Sequence, residues 1–267
     1  MDKVVEVQID AQGVAEVRLN RAHKMNAIDL ETMAELRGAA ERLQREPRLR
    51  AVVLSGNGRA FCAGLDTASF SALGAGQREP VLTDLATRTH GIANAGQWAA
   101  WAWTELAVPV IAAVHGVAFG AGLQIALSAD IRLVTADLKM SVMEIKWGLV
   151  PDMTGIALMT RLARPDVVRE LTFTGRVFSG DEAVQLGFAT RVCTDPLAAA
   201  REMAQQIAAC NPDAIRAGKR LLNRAYEASA ADILLAESVE QDQLLGSANQ
   251  IEAVRATLEK RTAQFSS

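Results

Sequence analysis

Cysteine is scarce here: Cys62, Cys193 and Cys210 are the only three in 267 residues, and no two stand in a CxxC pair. An odd, scattered set excludes a disulfide framework and points to a reducing compartment, so the expected location is cytoplasmic. Histidine is equally sparse, and His23, His90 and His115 do not pair at ligand spacing, which leaves no metal motif. Aromatics make up 4% of the chain, yet three of the four tryptophans gather at Trp98, Trp101 and Trp103. Neither sign of charge dominates: the formal net charge is -3 and no block of like charges forms a tail, so no nucleic-acid surface is expected. The opening "MDKVVEVQID" is charged and alternating, unlike a signal or transit peptide.

Several chemistries lack their motif. There is no GxxxxGK[ST], because Gly218-Lys219 is followed by Arg220 without a glycine loop. "GNGRAFCAG" has no third glycine at dinucleotide spacing, and no GxSxG offers a serine nucleophile. Cys62 reads as an apolar buried thiol. One uncharged run, residues 106–129, has the length of a membrane span. Pro109, His115, Gln124 and three glycines interrupt it, so it reads as a buried strand, a turn and a buried helix, with no membrane partner.

What is present reads as a mixed α/β chain. "KVVEVQID" and "GVAEVRLN" alternate as strands around the turn "AQG". Asp29 reads as the cap of a helix carrying Met33, Leu36, Ala40 and Leu43 at helical spacing. "RAVVLSGNG" is a strand, "FCAGLDTASF" is expected to open a short helix, and residues 67–80 read as a mobile loop. A helix is expected over 81–106, stopping before Pro109. "DIRLVTAD" and "FATRVC" read as strands, and Gly175 and Gly187 as helix C-caps. Helices are expected over 196–210, 212–226, 230–246 and 248–263, the last with the apolar stripe Ile251, Val254 and Leu258. The chain thus divides into a mixed core, 1–195, and a helical region, 196–267.

Two glycine-rich turns, "FCAGLD" (61–66) and "FGAGLQ" (119–124), each follow an apolar strand. Small residues admit a ligand to the backbone, and free N–H groups at a helix start carry partial positive charge. Two such turns brought together can donate to one developing oxyanion. Read singly, either is ordinary helix–strand packing.

Taken with their surroundings these turns resemble the crotonase superfamily, the enoyl-CoA hydratase/isomerase group. The matching text is "VRLNRAHKMNAID", "VVLSGNGRAFCAGLD", "PVIAAVHGVAFGAGLQIALSADIRL", "MEIKWGLVPDMTG" and "FTGRVFSGDEAVQLGFATRV", in family order over residues 4–192. The resemblance implies an α/β spiral of repeated ββα units with a C-terminal helical trimerisation region. It also implies an acyl-CoA substrate, no further cofactor, and a homotrimer or a hexamer built as a dimer of trimers.

For the site, it implies that the N–H groups of Leu65 and Ala121 form an oxyanion hole for the thioester carbonyl. Ala121 stands where the family usually has glycine. Lys24 matches a position near the nucleotide, the backbone at Ala63 an adenine contact, and Phe265 an aromatic packed on adenine from a neighbouring subunit. Asp66 reads as a ligand-side group or, more simply, a helix cap. Gln124 occupies the position of the first acid of two-glutamate hydratases, and Glu144, twenty residues on, the position of the second. Asp152, eight residues further, resembles a second proton relay of the dienoyl-CoA isomerase branch, or is a helix N-cap. Met140, Met143 and Trp147 form an apolar wall that would raise the Glu144 pKa. Trp98, Trp101 and Trp147 are expected to line the acyl pocket, although the Trp98–Trp103 cluster equally reads as the plug of a subunit contact or as core packing.

A glutamine cannot act as a base, though it can hold a water. Hydration is helped by two carboxylates; moving a double bond needs one base that removes a proton and returns it elsewhere. The expected activity is therefore enoyl-CoA isomerisation through a thioester enolate, with Glu144 as proton shuttle. Enoyl-CoA hydratase is the alternative, and a non-catalytic CoA-binding or assembly subunit the second.

Overall fold

The hairpin at the N-terminus is made by local chemistry. In the computed structural model, which describes residues 3–66 and 84–266, strand β1 (Val5–Ile9) pairs antiparallel with β2 (Val14–Leu19). Asp10 Oδ1 accepts from the N–H groups of Gln12 and Val14, tying the turn from inside. Gly13 closes it at φ +84°, where an added Cβ would meet the Arg48 carbonyl oxygen at 2.1 Å.

Helix α1 (Leu30–Gln44) starts at Asp29, whose carboxylate accepts from Thr32 N–H, and buries Met33, Leu36, Ala40 and Leu43. It crosses over to β3 (Ala51–Gly56), parallel to β2. Strands β4 (Val110–Val114), β6 (Ile131–Val134) and β9 (Arg191–Val192) extend the sheet in the order β1-β2-β3-β4-β6-β9, all parallel beyond the hairpin. A smaller sheet holds β5 (Val117–Phe119), β7 (Lys139–Ser141) and β8 (Phe178–Ser179).

The two sheets grow together. Each large-sheet strand is followed by a partner in the smaller layer: Ile28 after β2, Cys62 and Leu65 after β3, β5 after β4, β7 after β6. Ile28 bridges Leu65, Cys62 bridges Ala118, and β5 pairs β7. This is the expected spiral, and it stacks the two glycine-rich turns side by side.

The central strands β3 and β4 are covered on both faces and run apolar over 51–54 and 110–114, while β1 and β2 alternate and the edge strand β9 is exposed. Val52 and Leu54 of β3 join a core with α1, α2 (Ala95–Glu105) and α3 (Ala121–Leu127), while Ala51 and Val53 face α7 (Pro196–Ala208) with Ala200 and Ala204. Each fully buried Val or Leu contributes about 1.5–3 kcal/mol by leaving water. Helices α4 (Gly155–Leu162), α5 (Pro165–Thr174) and α6 (Gly180–Leu186) follow the small sheet. Gly175 and Gly187 end α5 and α6 in the left-handed region, as C-caps do. Then come α8 (Pro212–Arg224), α9 (Ala230–Leu244) and α10 (Ala248–Glu259). Ile251, Val254 and Leu258 form an exposed stripe on α10.

The helix expected from residue 81 begins only at Ala95. Asn94 stops it: its side chain accepts from Gln97 N–H while the Gln97 side chain accepts from Asn94 N–H, a capping box stronger than the weak periodicity before it. Residues 84–94 form turns, with Gly91 at φ +59°. The stretch 61–66 is not helical, and the expected loop at 67–80 lies outside the described residues. The uncharged run 106–129 resolves into β4, β5 and α3, and no helix of the described residues is long and apolar enough to cross a membrane.

Candidate active site

The turns at 61–66 and 119–122 interlock. Cys62 N–H donates to Val117 O at 3.0 Å and Phe119 N–H to Cys62 O at 3.1 Å. A Cβ on Gly64 would lie 2.8 Å from the Phe119 carbonyl oxygen, and one on Gly122 2.4 Å from that of Cys62. These contacts require glycine and bring Leu65 and Ala121 to one junction. Among the described residues neither Leu65 N–H nor Ala121 N–H finds an acceptor. Ala121 is the first residue of α3 and is not among the positive-φ residues, so its side chain costs no backbone strain. The Cys62 thiol is fully buried and pushed up to about 12 by desolvation, which makes it inert.

Glu144 lies beside this junction. It opens a 3-10 turn, Glu144–Trp147, directly after β7. Gly120, at φ +49°, leaves room for its carboxylate: a Cβ there would sit 3.1 Å from Oε1. Gln124 Nε2 donates to Glu144 Oε1 at 2.7 Å, and Oε2 is buried with no hydrogen-bond partner among the described residues. Desolvation pushes the Glu144 pKa above the ordinary carboxylate value; its own backbone N–H, the Gln124 amide and Met143 N–H oppose this, and the negative charge of Asp152 adds to it. Met140 is buried and Met143 half-buried beside it, while Trp147 is 50% exposed.

Gln124 is not free to hold a water by its oxygen. Its Oε1 accepts from Met153 N–H at 2.8 Å and from Gly155 N–H at 2.7 Å, so it caps α4. Asp152 therefore does not serve as that cap. The N-cap position belongs to Thr154, at φ +79°, and the first free N–H groups go to Gln124. Asp152 is exposed at the mouth of the turn, and partial desolvation holds its pKa up.

A second polar cluster lies under the 61–66 turn. Asp66, buried, accepts from Lys24 Nζ at 2.8 Å and from Arg21 Nη2 at 3.2 Å, and Arg21 also pairs with Asp29 at 2.8 Å. Asp66 is thus an anchor for Lys24. Ala63 N–H donates to Met25 O, and Asn26 donates to Asn57 O and Ala60 O while accepting from Arg21 N–H. Arg21 and Asn26 were not singled out in the sequence. The signal was there, since "NRAHKMN" packs five polar or charged side chains between an apolar strand and an apolar turn. Phe265 is half-buried in a tail that Asn249 holds through Ser266.

The tryptophans separate. Trp103 is wholly buried. Trp101 donates to Glu105 at 2.8 Å and lies under the Arg161 guanidinium, a packing role. Trp98 stacks on His90 with ring centroids 5.5 Å apart. Among the described residues no set of three His, Cys, Asp or Glu side chains gathers as metal ligands.

The enoyl-CoA hydratase/isomerase family model matches residues 10–267. The chain belongs to that family. A protein named as a probable enoyl-CoA hydratase from Mycobacterium bovis is 32% identical over 259 residues, 95% of each chain. A carnitinyl-CoA dehydratase from Proteus mirabilis is 34% identical over 219 residues, 81% of this chain and 79% of its own. The crystal structure of an enoyl-CoA hydratase from Mycobacterium smegmatis superposes with a TM-score of 0.86 at 28% identity, covering 98% of this chain and 99% of that one. In this member of the enoyl-CoA hydratase/isomerase family a carboxylate, Glu144, and an amide, Gln124, are hydrogen-bonded beside the junction of the two turns.

Proposed function

We propose that this chain acts on acyl-CoA thioesters through an enolate, and that its reaction is a double-bond shift carried by Glu144. One observation carries the reading: the half-buried carboxylate of Glu144, its Oε2 shielded from solvent and without a hydrogen-bond partner among the described residues, lies beside two N–H groups that have no acceptor among the described residues. The thioester oxygen would rest on Leu65 N–H and Ala121 N–H, and each such donor lowers the barrier by about 3 kcal/mol. Glu144 Oε2 removes a proton from carbon 2 of a 3-enoyl thioester. The electrons move through the dienolate, and Glu144, whose proton equilibrates with solvent, returns a proton to carbon 4, leaving a 2-enoyl product. A raised carboxylate pKa suits both removal and return. Asp152, exposed to solvent, would hold the Glu144 pKa up by its charge, and the Glu144 proton would exchange with solvent directly.

Lys24, held by Asp66, and the backbone at Ala63 would meet the coenzyme A nucleotide, with Phe265 packing on adenine across a subunit boundary. The exposed stripe on α10 fits burial in a trimer, or a hexamer of two trimers. Acyl-CoA is then the substrate and no other cofactor is called for.

Water addition is the second reading, and the names of the relatives favour it. The two separate in deuterated water. Isomerisation predicts deuterium at carbons 2 and 4 and interconversion of 3- and 2-enoyl-CoA, abolished in Glu144→Gln. Loss of enoyl absorbance with formation of the 3-hydroxy thioester makes it a hydratase. Tight binding of acyl-CoAs with neither exchange nor turnover leaves a binding subunit.

A further inference from the structure

We propose that Gln124 is a positioning residue that confines proton transfer to Oε2 of Glu144. The inference rests on Glu144 being the base. An amide oxygen has two lone pairs, and both are taken here by Met153 N–H and Gly155 N–H. The amide therefore cannot flip, and its NH2 end must face Glu144 Oε1. Space enforces the same arrangement. A Cβ on Gly155 would lie 2.7 Å from Gln124 Oε1, and one on Gly120 3.1 Å from Glu144 Oε1. Gln124 also stands one turn along α3 from Ala121, whose N–H heads the same helix. One side chain thus joins the helix that carries an unengaged donor, the base, and the start of α4.

The arrangement has a chemical consequence. With Oε1 held by a donor, Oε2 is the basic oxygen that remains. Gln124 keeps one spare N–H and no acceptor, so it cannot take a proton from water. Water addition would lack its second proton-handling group, whereas a shuttle using one oxygen loses nothing.

The charges around Glu144 are few. Helix α3 brings no ionisable group, and β7 has only Lys139, exposed at its far end. The following turn carries exposed Lys146 and Asp152, and α5, packed on that turn, carries exposed Asp166, Arg169 and Glu170. Of these, Asp152 acts on Glu144, in the upward direction.

The clean variant is Gln124→Glu. One carboxylate oxygen still accepts from Met153 and Gly155, so α4 stays capped, while the other faces Oε1 and must share a proton with it. The experiment measures carbon-2 deuterium exchange of an acyl-CoA against pH in wild type, Gln124→Glu, Gln124→Met and Glu144→Gln, with circular dichroism as the folding control. The ascending limb of kcat/KM is expected to move by about one pH unit or more to the alkaline side in Gln124→Glu, an approximately tenfold loss at fixed pH below the limb, with KM within about twofold. Gln124→Met removes the donor without adding charge; it should move the limb the same way and lower kcat about tenfold or more. Complete loss of exchange in folded Gln124→Glu that still binds the thioester also supports the proposal. A wild-type limb and kcat in folded Gln124→Glu or Gln124→Met would overturn it. Wild-type exchange in Glu144→Gln would instead remove the base assignment, so the two failures are distinguishable.

Discussion

Gly122 faces the backbone of Cys62 so closely that a Cβ would meet the Cys62 carbonyl oxygen at 2.4 Å and Cβ at 2.7 Å. This contact locks the two glycine-rich turns against one another. Gly122→Ala must push them apart, because neither neighbour is the flexible end of a side chain. The expected cost is about 1–3 kcal/mol of stability, with a larger loss of turnover, since donors aimed at one oxygen tolerate little displacement. Urea denaturation and kcat/KM on the same preparation check this; wild-type turnover in the variant would detach the turns from the chemistry.

Burial of Glu144 links its ionisation to stability. Its pKa in the folded chain is above the ordinary glutamate value of 4.5, so between that value and the raised one the native state binds more protons than the unfolded chain. Stability then falls as pH rises through that window and does not recover above it. Glu144→Gln should therefore raise the melting temperature at pH 7, and its advantage should shrink as pH drops below 4.5. Thermal melts at both pH values test the sign.

Asp152 raises the Glu144 pKa by its charge. Asp152→Asn should shift the ascending limb of the pH–rate profile to the acid side while exchange persists. A variant that loses exchange at every pH would show that Asp152 carries a proton itself.

Lys24 and Asp66 form an ion pair in which the lysine is 45% exposed and the aspartate 7%. Lys24→Ala should weaken acyl-CoA binding by about tenfold with kcat nearly unchanged, the pattern of a uniform binding contact. Asp66→Asn should do likewise and cost stability too, because Arg21 would lose its buried partner. Calorimetric titration with a non-reactive acyl-CoA measures both.

Lys219 is 6% exposed and reaches from α8 to Asp130 Oδ2 at 2.8 Å and Val108 O at 2.9 Å. Asp130→Asn leaves that ammonium without its counter-charge and should destabilise by roughly 2–4 kcal/mol, below the fully buried limit because Asp130 is partly exposed. Lys219→Met should cost less. Chemical denaturation of the two variants ranks them.

What the amino-acid order determined alone was local or one-dimensional. The Asp29 cap, the stops at Gly175 and Gly187, the two-residue alternation of β1 and β2 and the succession of strand, turn and helix follow from contacts within a few positions. The order of motifs over 4–192 also carried the family and the pairing of Gln124 with Glu144. Tertiary structure decided what these groups do to one another. Gln124 meets partners 20, 29 and 31 positions away, and no local pattern states which oxygen of an amide they will occupy. Asp66 became the counter-ion of Lys24 and Arg21 across more than forty residues. Chain geometry confines sequence-local forces to about one helical turn, so the orientation of a buried amide or carboxylate is settled only when distant backbone donors close around it.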